Sequence, residues 1–148
     1  MELFEWDESF STGIPHIDEQ HQQLIAMISD LDQAEQEGTG GLLISYVLQE
    51  LMRYVALHFE EEELLMMRHD FPGLMSHRQE HDFYVKRLKH VQENFHDGDE
   101  LSRNTLAFLK DWISCHIKGT DQIYAEFIRS KAATAVPSGE NNIKAQLP

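Results

Sequence analysis

Apolar residues recur along this chain at alternating steps of four and three, the mark of a helical face turned toward partners. The first such stretch fits a helix over 18–37, with the stripe Ile17, His21, Leu24, Ile28, Leu31 and with Asp18 as N-cap. A second fits 42–67, through Ile44, Leu48, Leu51, Val55, His58, Glu62 and Leu65. A third fits 73–95, through Leu74, His77, His81, Tyr84, Leu88, Val91 and Phe95, with Pro72 near its first turn. A fourth fits 100–131, through Leu101, Thr105, Phe108, Trp112 and His116. Turn signals separate them: Gly38-Thr39-Gly40-Gly41, Asp70-Phe71-Pro72-Gly73 and His96-Asp97-Gly98-Asp99. Four helices with short connections predict an all-α, antiparallel up-down-up-down four-helix bundle.

The fourth stripe carries a fault. After His116 it resumes at Asp121, Tyr124 and Ile128, one residue late. His116 and Asp121 are five apart, which on a regular helix sets them ~140° from each other. An extra residue near Gly119, accommodated as a π-bulge, would return both to one face. Ahead of the bundle, residues 1–17 form an arm, since Gly13 and Pro15 prevent a long helix while Phe4, Trp6, Phe10 and Ile14 are apolar. The arm is expected to cover part of the core. Residues 132–148 are small and polar without a period and read as a flexible tail, so the domain is placed at 1–131.

Some seam positions are not apolar. His21, His58, Glu62, His77, His81, His116 and Asp121 all occupy inward places. A carboxylate there is costly unless paired or metal-bound. In antiparallel order the start of the first helix, the end of the second, the start of the third and the late part of the fourth share one level. The seven donors therefore converge at one end of the bundle. Four further histidines, His16, His69, His90 and His96, lie outside the seam and are expected to be exposed or non-ligating. Glu60, Glu61 and Glu63 read as a solvated face, Cys115 as a small buried apolar residue, and Met66, Met67 and Met75 as core filler.

Composition narrows the function. There are 12 Lys+Arg against 26 Asp+Glu, a formal net charge of −14, which argues against nucleic acid and anionic membrane surfaces as partners. No stretch reaches the ~20 apolar residues of a membrane span. One cysteine permits no internal disulfide, and the acidic start lacks a signal peptide's basic residues, so a cytoplasmic location is expected. No phosphate-binding glycine loop, CxxC pair or serine-nucleophile elbow appears.

Five imidazoles and two carboxylates are too many donors for one metal ion. Two octahedral ions offer twelve positions; five histidines, two bridging carboxylates and one bridging solvent oxygen fill eleven, leaving one open. Mixed nitrogen and oxygen donors at that geometry suit iron, and a vacancy on a redox-active metal suits a small molecule such as dioxygen.

The set resembles the hemerythrin family: a lone His21, then H-x3-E as His58/Glu62, H-x3-H as His77/His81 and H-x4-D as His116/Asp121. Trp6 and the run Gly13-Ile14-Pro15-His16-Ile17-Asp18-Glu19-Gln20-His21 resemble bacterial members, and the likeness spans about 6–130. The resemblance implies one iron on His77, His81 and His116, and a second, with the vacancy, on His21 and His58. Glu62, Asp121 and an oxo or hydroxo group would bridge them. It implies a dry apolar pocket for which Leu24, Phe59, Trp112 and Ile113 are candidates. It further implies a non-enzymatic, monomeric protein that binds dioxygen reversibly for storage or for delivery to oxygen-consuming enzymes. A di-iron oxygen or redox sensor, or a di-iron enzyme with peroxidase, oxidase or nitric-oxide-handling activity, is the alternative.

Overall fold

The computed structural model describes residues 4–38, 40–96 and 99–146, with side chains as far as Ala133. Its helices are α1 (Pro15–Glu37), α2 (Gly41–Arg68), α3 (Leu74–Asn94), α4 (Arg103–Cys115) and α5 (Asp121–Gln146). A π-helical turn, His116–Thr120, joins α4 to α5, so the last two segments make one interrupted fourth helix. α1 packs on α2, α2 on α3, α3 on α4, and α4 closes back onto α1. This is the expected antiparallel four-helix bundle, and no strand occurs among the described residues.

Local chemistry sets the boundaries. α1 begins earlier than the pattern predicts, at Pro15, whose missing N–H is harmless in a first turn. Asp18 is therefore not the N-cap. It lies inside the helix and reaches back to the arm, accepting from the Thr12 N–H at 2.7 Å and from the hydroxyls of Ser11 at 2.6 Å and Thr12 at 2.8 Å. A cap was expected because aspartate stands just before the apolar stripe; instead it folds the arm onto α1. Gly38 ends α1 in the left-handed region at φ 64°. α4 starts after Ser102, whose side chain accepts from the Thr105 N–H at 3.0 Å.

Leu24, Ile28, Leu31, Leu48, Leu51, Val55, Leu88 and Leu109 are fully buried and form the main apolar core, with Phe10 of the arm covering it. Truncating one of these leucines to alanine would cost about 2–5 kcal/mol. A smaller apolar group, Met66, Tyr124, Ala125 and Ile128, lies beyond the seven polar positions. The polar layer thus divides the core in two.

Three expectations about packing are corrected. The inward face of α4 is Leu106, Leu109 and Ile113, rather than Thr105, Phe108 and Trp112. Phe108 and Trp112 turn instead toward α3 and stack on Tyr84, at ring separations of 5.9 and 4.4 Å. Cys115 is exposed, because the residue before inward-facing His116 points outward. Met67 and Met75 are also exposed, and Met66 alone of the three enters the core. The tail expected at 132–148 carries helical backbone to Gln146; its side chains beyond Ala133 lie outside the described residues.

Two glycines make opposite demands. Gly13 has φ 76°, and a Cβ there would stand 2.7 Å from Arg129 Nη1. At Gly119, in the π turn, a Cβ would meet nothing within 4 Å and φ is not positive. Denaturant unfolding should therefore show Gly119→Ala stabilising by ~0.5–1 kcal/mol through helix propensity. Gly13→Ala should destabilise by ~1–2 kcal/mol through the left-handed backbone.

Candidate metal centre

Every helical segment of the bundle except α4 contributes to one buried layer. α1 supplies His21, α2 His58 and Glu62, α3 His77 and His81, the π turn His116 and α5 Asp121. None of the seven is more than 4% exposed, and His21, Glu62 and Asp121 are completely covered. The π turn makes this convergence possible: the Asp121 N–H donates to the His116 carbonyl, a five-residue step that lets both side chains face inward.

The layer has an internal order. Glu62 Oε1 lies 3.0 Å from His77 Nε2 and 3.1 Å from His81 Nε2, while Oε2 lies 3.4 Å from His21 Nε2 and 3.2 Å from His58 Nε2. Asp121 repeats the arrangement: Oδ1 lies 3.0 Å from both His77 and His116 Nε2, and Oδ2 lies 3.1 Å from His21 Nε2. One group comprises Glu62, His77, His81, His116 and Asp121, and another His21, His58 and Glu62. Each carboxylate gives one oxygen to the three-histidine side and the other to the two-histidine side.

Every imidazole presents Nε2 to the interior, and outer partners fix three of them. Nδ1 of His58 lies 2.6 Å from Gln20 Oε1, that of His81 2.9 Å from Glu63 Oε2, and that of His116 2.9 Å from Glu80 Oε2. With Nδ1–H donating outward, the Nε2 lone pair is free to point inward. The Tyr124 hydroxyl donates to Glu62 Oε2 at 2.9 Å. Glu63 is thus not part of a solvated face, because the α2–α3 contact brings it onto His81 and Arg78. The sequence pattern assigns no site role to Gln20, Glu63, Glu80 or Tyr124. Three of them sit one residue from a seam position, a faint signal that names no partner without interhelical distances. His16, His90 and His96 are exposed and outside the layer; His69, expected at the surface, is half-buried and also outside it.

The donor set fits two cations. Adjacent octahedral ligands bound at about 2.1 Å stand about 3.0 Å apart, the spacing found between these nitrogens and oxygens. Nε2 of His81 and Nε2 of His116 face each other at 3.1 Å, an approach a shared cation stabilises. Buried Asp121 meets only imidazole nitrogens, at 3.0 and 3.1 Å, and neither its oxygens nor the nitrogens of His21 reach hydrogen-bond geometry. Uncompensated buried carboxylate is strongly destabilising, so the layer calls for positive charge.

Of the four candidate pocket residues, Leu24, Phe59 and Ile113 are buried and Trp112 is half-buried. Phe59 stacks on His81 at 3.8 Å and lies 5.8 Å from His58, so its ring touches both histidine groups. Trp112 stacks on His116 at 4.5 Å.

Electrostatics in the metal-free protein follow from this geometry. Burial disfavours charge on His21 and His77, but the facing carboxylates outweigh it and hold both imidazoles up at about 9 against an ordinary 6.5. Burial also opposes charge on Glu62 and Asp121, yet the surrounding imidazoles hold both carboxyls well below their usual range. The raised histidines contribute stability that is complete below pH 6.5 and lost as pH rises through about 9. The depressed carboxylates act in the other direction, contributing above their ordinary range and losing that contribution as pH falls. The Tm of metal-free protein should accordingly drop between pH 6.5 and 9, and replacing His21 and His77 with glutamine should flatten the slope. A Tm that stays level or climbs across that window would contradict protonated imidazoles in the layer.

Comparison with known proteins identifies the family. The family described as the hemerythrin HHE cation binding domain matches residues 12–128. A bacteriohemerythrin of Stenotrophomonas maltophilia is 31% identical over 130 residues, covering 88% of this chain and 84% of the relative. A hemerythrin-like protein of Naegleria fowleri is 35% identical over 124 residues, covering 82% and 90%. The crystal structure of a wild-type hemerythrin superposes with a TM-score of 0.77 at 30% identity, covering 84% of this chain and 97% of that one. With a family match that runs from the end of the arm into all four helices, this chain belongs to the hemerythrin family.

Proposed function

We propose that the buried layer holds two iron ions and that the protein binds dioxygen reversibly, for storage or for delivery to oxygen-consuming enzymes. The observation that carries the reading is the shared use of Glu62 and Asp121, each with one oxygen on either side of an unequal set of histidines. His77, His81 and His116 would hold one iron and His21 and His58 the other, bridged by Glu62, Asp121 and an oxo or hydroxo group. Once bound and reduced, such an iron pair would supply two electrons to dioxygen, and the side with fewer histidines would leave room for it.

The chain's own residues serve this use in three ways. The Nε2 atoms and carboxylates hold the ions. Tyr124 keeps Glu62 oriented by donating to the oxygen on the His21/His58 side. Leu24, Phe59 and Ile113 keep water from the layer, which would slow irreversible oxidation. The sensor and enzyme readings would use the same layer and differ from carriage in whether oxygen is released unchanged. The proposal includes a cytoplasmic monomer whose working unit is 1–131, with 132–148 as an appended tail.

Anaerobic reduction, exposure to air and removal of oxygen should give a visible band that appears and disappears with oxygen, at two irons per chain. Immediate irreversible oxidation, or about one zinc per chain, would sink carriage. His77→Ala and His81→Ala should each lower bound iron sharply; unchanged stoichiometry in both would reject the ligand assignment.

A further inference from the structure

The outer partners of the inward-facing histidines are not alike. Behind His81 stands Glu63, and behind His116 stands Glu80, each accepting from Nδ1 at 2.9 Å. Behind His58 stands a neutral amide, Gln20, at 2.6 Å. His21 Nδ1 has no partner among the described residues. A carboxylate therefore accepts directly from two imidazoles of the three-histidine side and from neither imidazole of the two-histidine side, where Asp18 lies near His21 but is taken up by Ser11 and Thr12.

Each outer carboxylate is itself held. Arg78 Nε donates to Glu63 Oε1 at 2.7 Å, which leaves Oε2 aimed at His81. The Thr120 hydroxyl donates to Glu80 Oε2 at 2.9 Å, the same oxygen that receives His116. Thr120 closes the π turn, so the irregularity that aligns His116 with Asp121 also secures the partner of His116. On the other side, Gln20 Nε2 donates to Glu61, which fixes its oxygen toward His58. The acid of that pair is thus one group further from the histidine.

A carboxylate accepting from Nδ1–H raises the basicity of Nε2, and a neutral amide does so less. We propose that Glu63 and Glu80 are positioning residues whose charge makes the three-histidine position take its metal first and retain it more tightly, while neutral Gln20 keeps the two-histidine position the weaker one. The inference rests on the two-metal reading. Glu63 is the stronger of the pair, because its side chain is 17% exposed against 44% for Glu80, and solvent screens it less. Arg78 offsets part of the Glu63 charge but lies on the oxygen turned away from His81.

The test is anaerobic titration of metal-free protein with cobalt(II), following its visible absorption, with far-UV circular dichroism confirming the fold of each variant. The unaltered chain should bind two ions in two resolved steps. Glu63→Gln keeps an acceptor oxygen toward His81 and removes the charge. It should weaken the first step by about 10–100-fold and leave the second in place; Glu80→Gln should do the same to a smaller degree. The exchange Gln20→Glu with Glu61→Gln moves a carboxylate against His58 while conserving the side-chain pair, and should tighten the second step. Two bound ions whose step affinities are unmoved by Glu63→Gln and by the Gln20/Glu61 exchange would overturn the role of charge. Fewer than two ions on the unaltered chain would instead overturn the two-metal reading itself.

Discussion

Two carboxylates with no solvent exposure, Glu62 and Asp121, face imidazoles on both sides, and the rest of the molecule accommodates that contact. Burying one unpaired carboxylate is strongly unfavourable, and burying two within one layer adds their mutual repulsion. His21, His77 and His81, whose affinity for a proton the carboxylates raise, meet part of that demand, and cations bound by neutral imidazoles would meet it with the donors at coordination spacing. The apolar core pays for the layer by being split, with the Leu24–Leu48–Leu109 body on one side and the Met66–Tyr124–Ile128 group on the other. The arm adds Phe10 to the larger part, tied down by Asp18 three residues before His21.

The fourth helix shows how this layer dictates backbone. Leu106, Leu109 and Ile113 require one helical phase, and Tyr124 and Ile128 another, while His116 and Asp121 must both face inward between them. A regular helix cannot meet these demands with the two ligands five positions apart. The π turn at His116–Thr120 absorbs the surplus residue. Gly119 lies there with open space around it, so the turn does not depend on a crowded glycine position. Thr120 at the end of the same turn contacts Glu80, linking the backbone irregularity to the hydrogen bond behind His116.

The rings around the layer extend its order outward. Phe59 lies flat on His81 and Trp112 lies flat on His116, so two imidazoles are fixed by an aromatic face as well as by an outer carboxylate. Tyr84 continues the stack from Trp112 and donates its hydroxyl to the Leu109 carbonyl at 3.2 Å, anchoring α3 to α4. Three-histidine and two-histidine sides thus differ in donor count, in the charge behind the rings and in aromatic support.

Much of this was legible in the chain by itself. Steps of four and three place the helices and seat His21, His58, Glu62, His77, His81, His116 and Asp121 on inward faces, because helix periodicity is local and the apolar neighbours report it. The late resumption after His116 even located the π turn, since a ligand pair five apart conflicts with a regular helix. Other features depended on the packing of one helix against another. Asp18 turned to the arm rather than capping α1, Phe108 and Trp112 turned to Tyr84 rather than the centre, and Cys115 faced solvent. Gln20, Glu63, Glu80 and Tyr124 gained roles only because interhelical distances of hydrogen-bond length brought them to His58, His81, His116 and Glu62. Periodicity determines which side of a helix a residue occupies; tertiary structure decides what stands there to meet it.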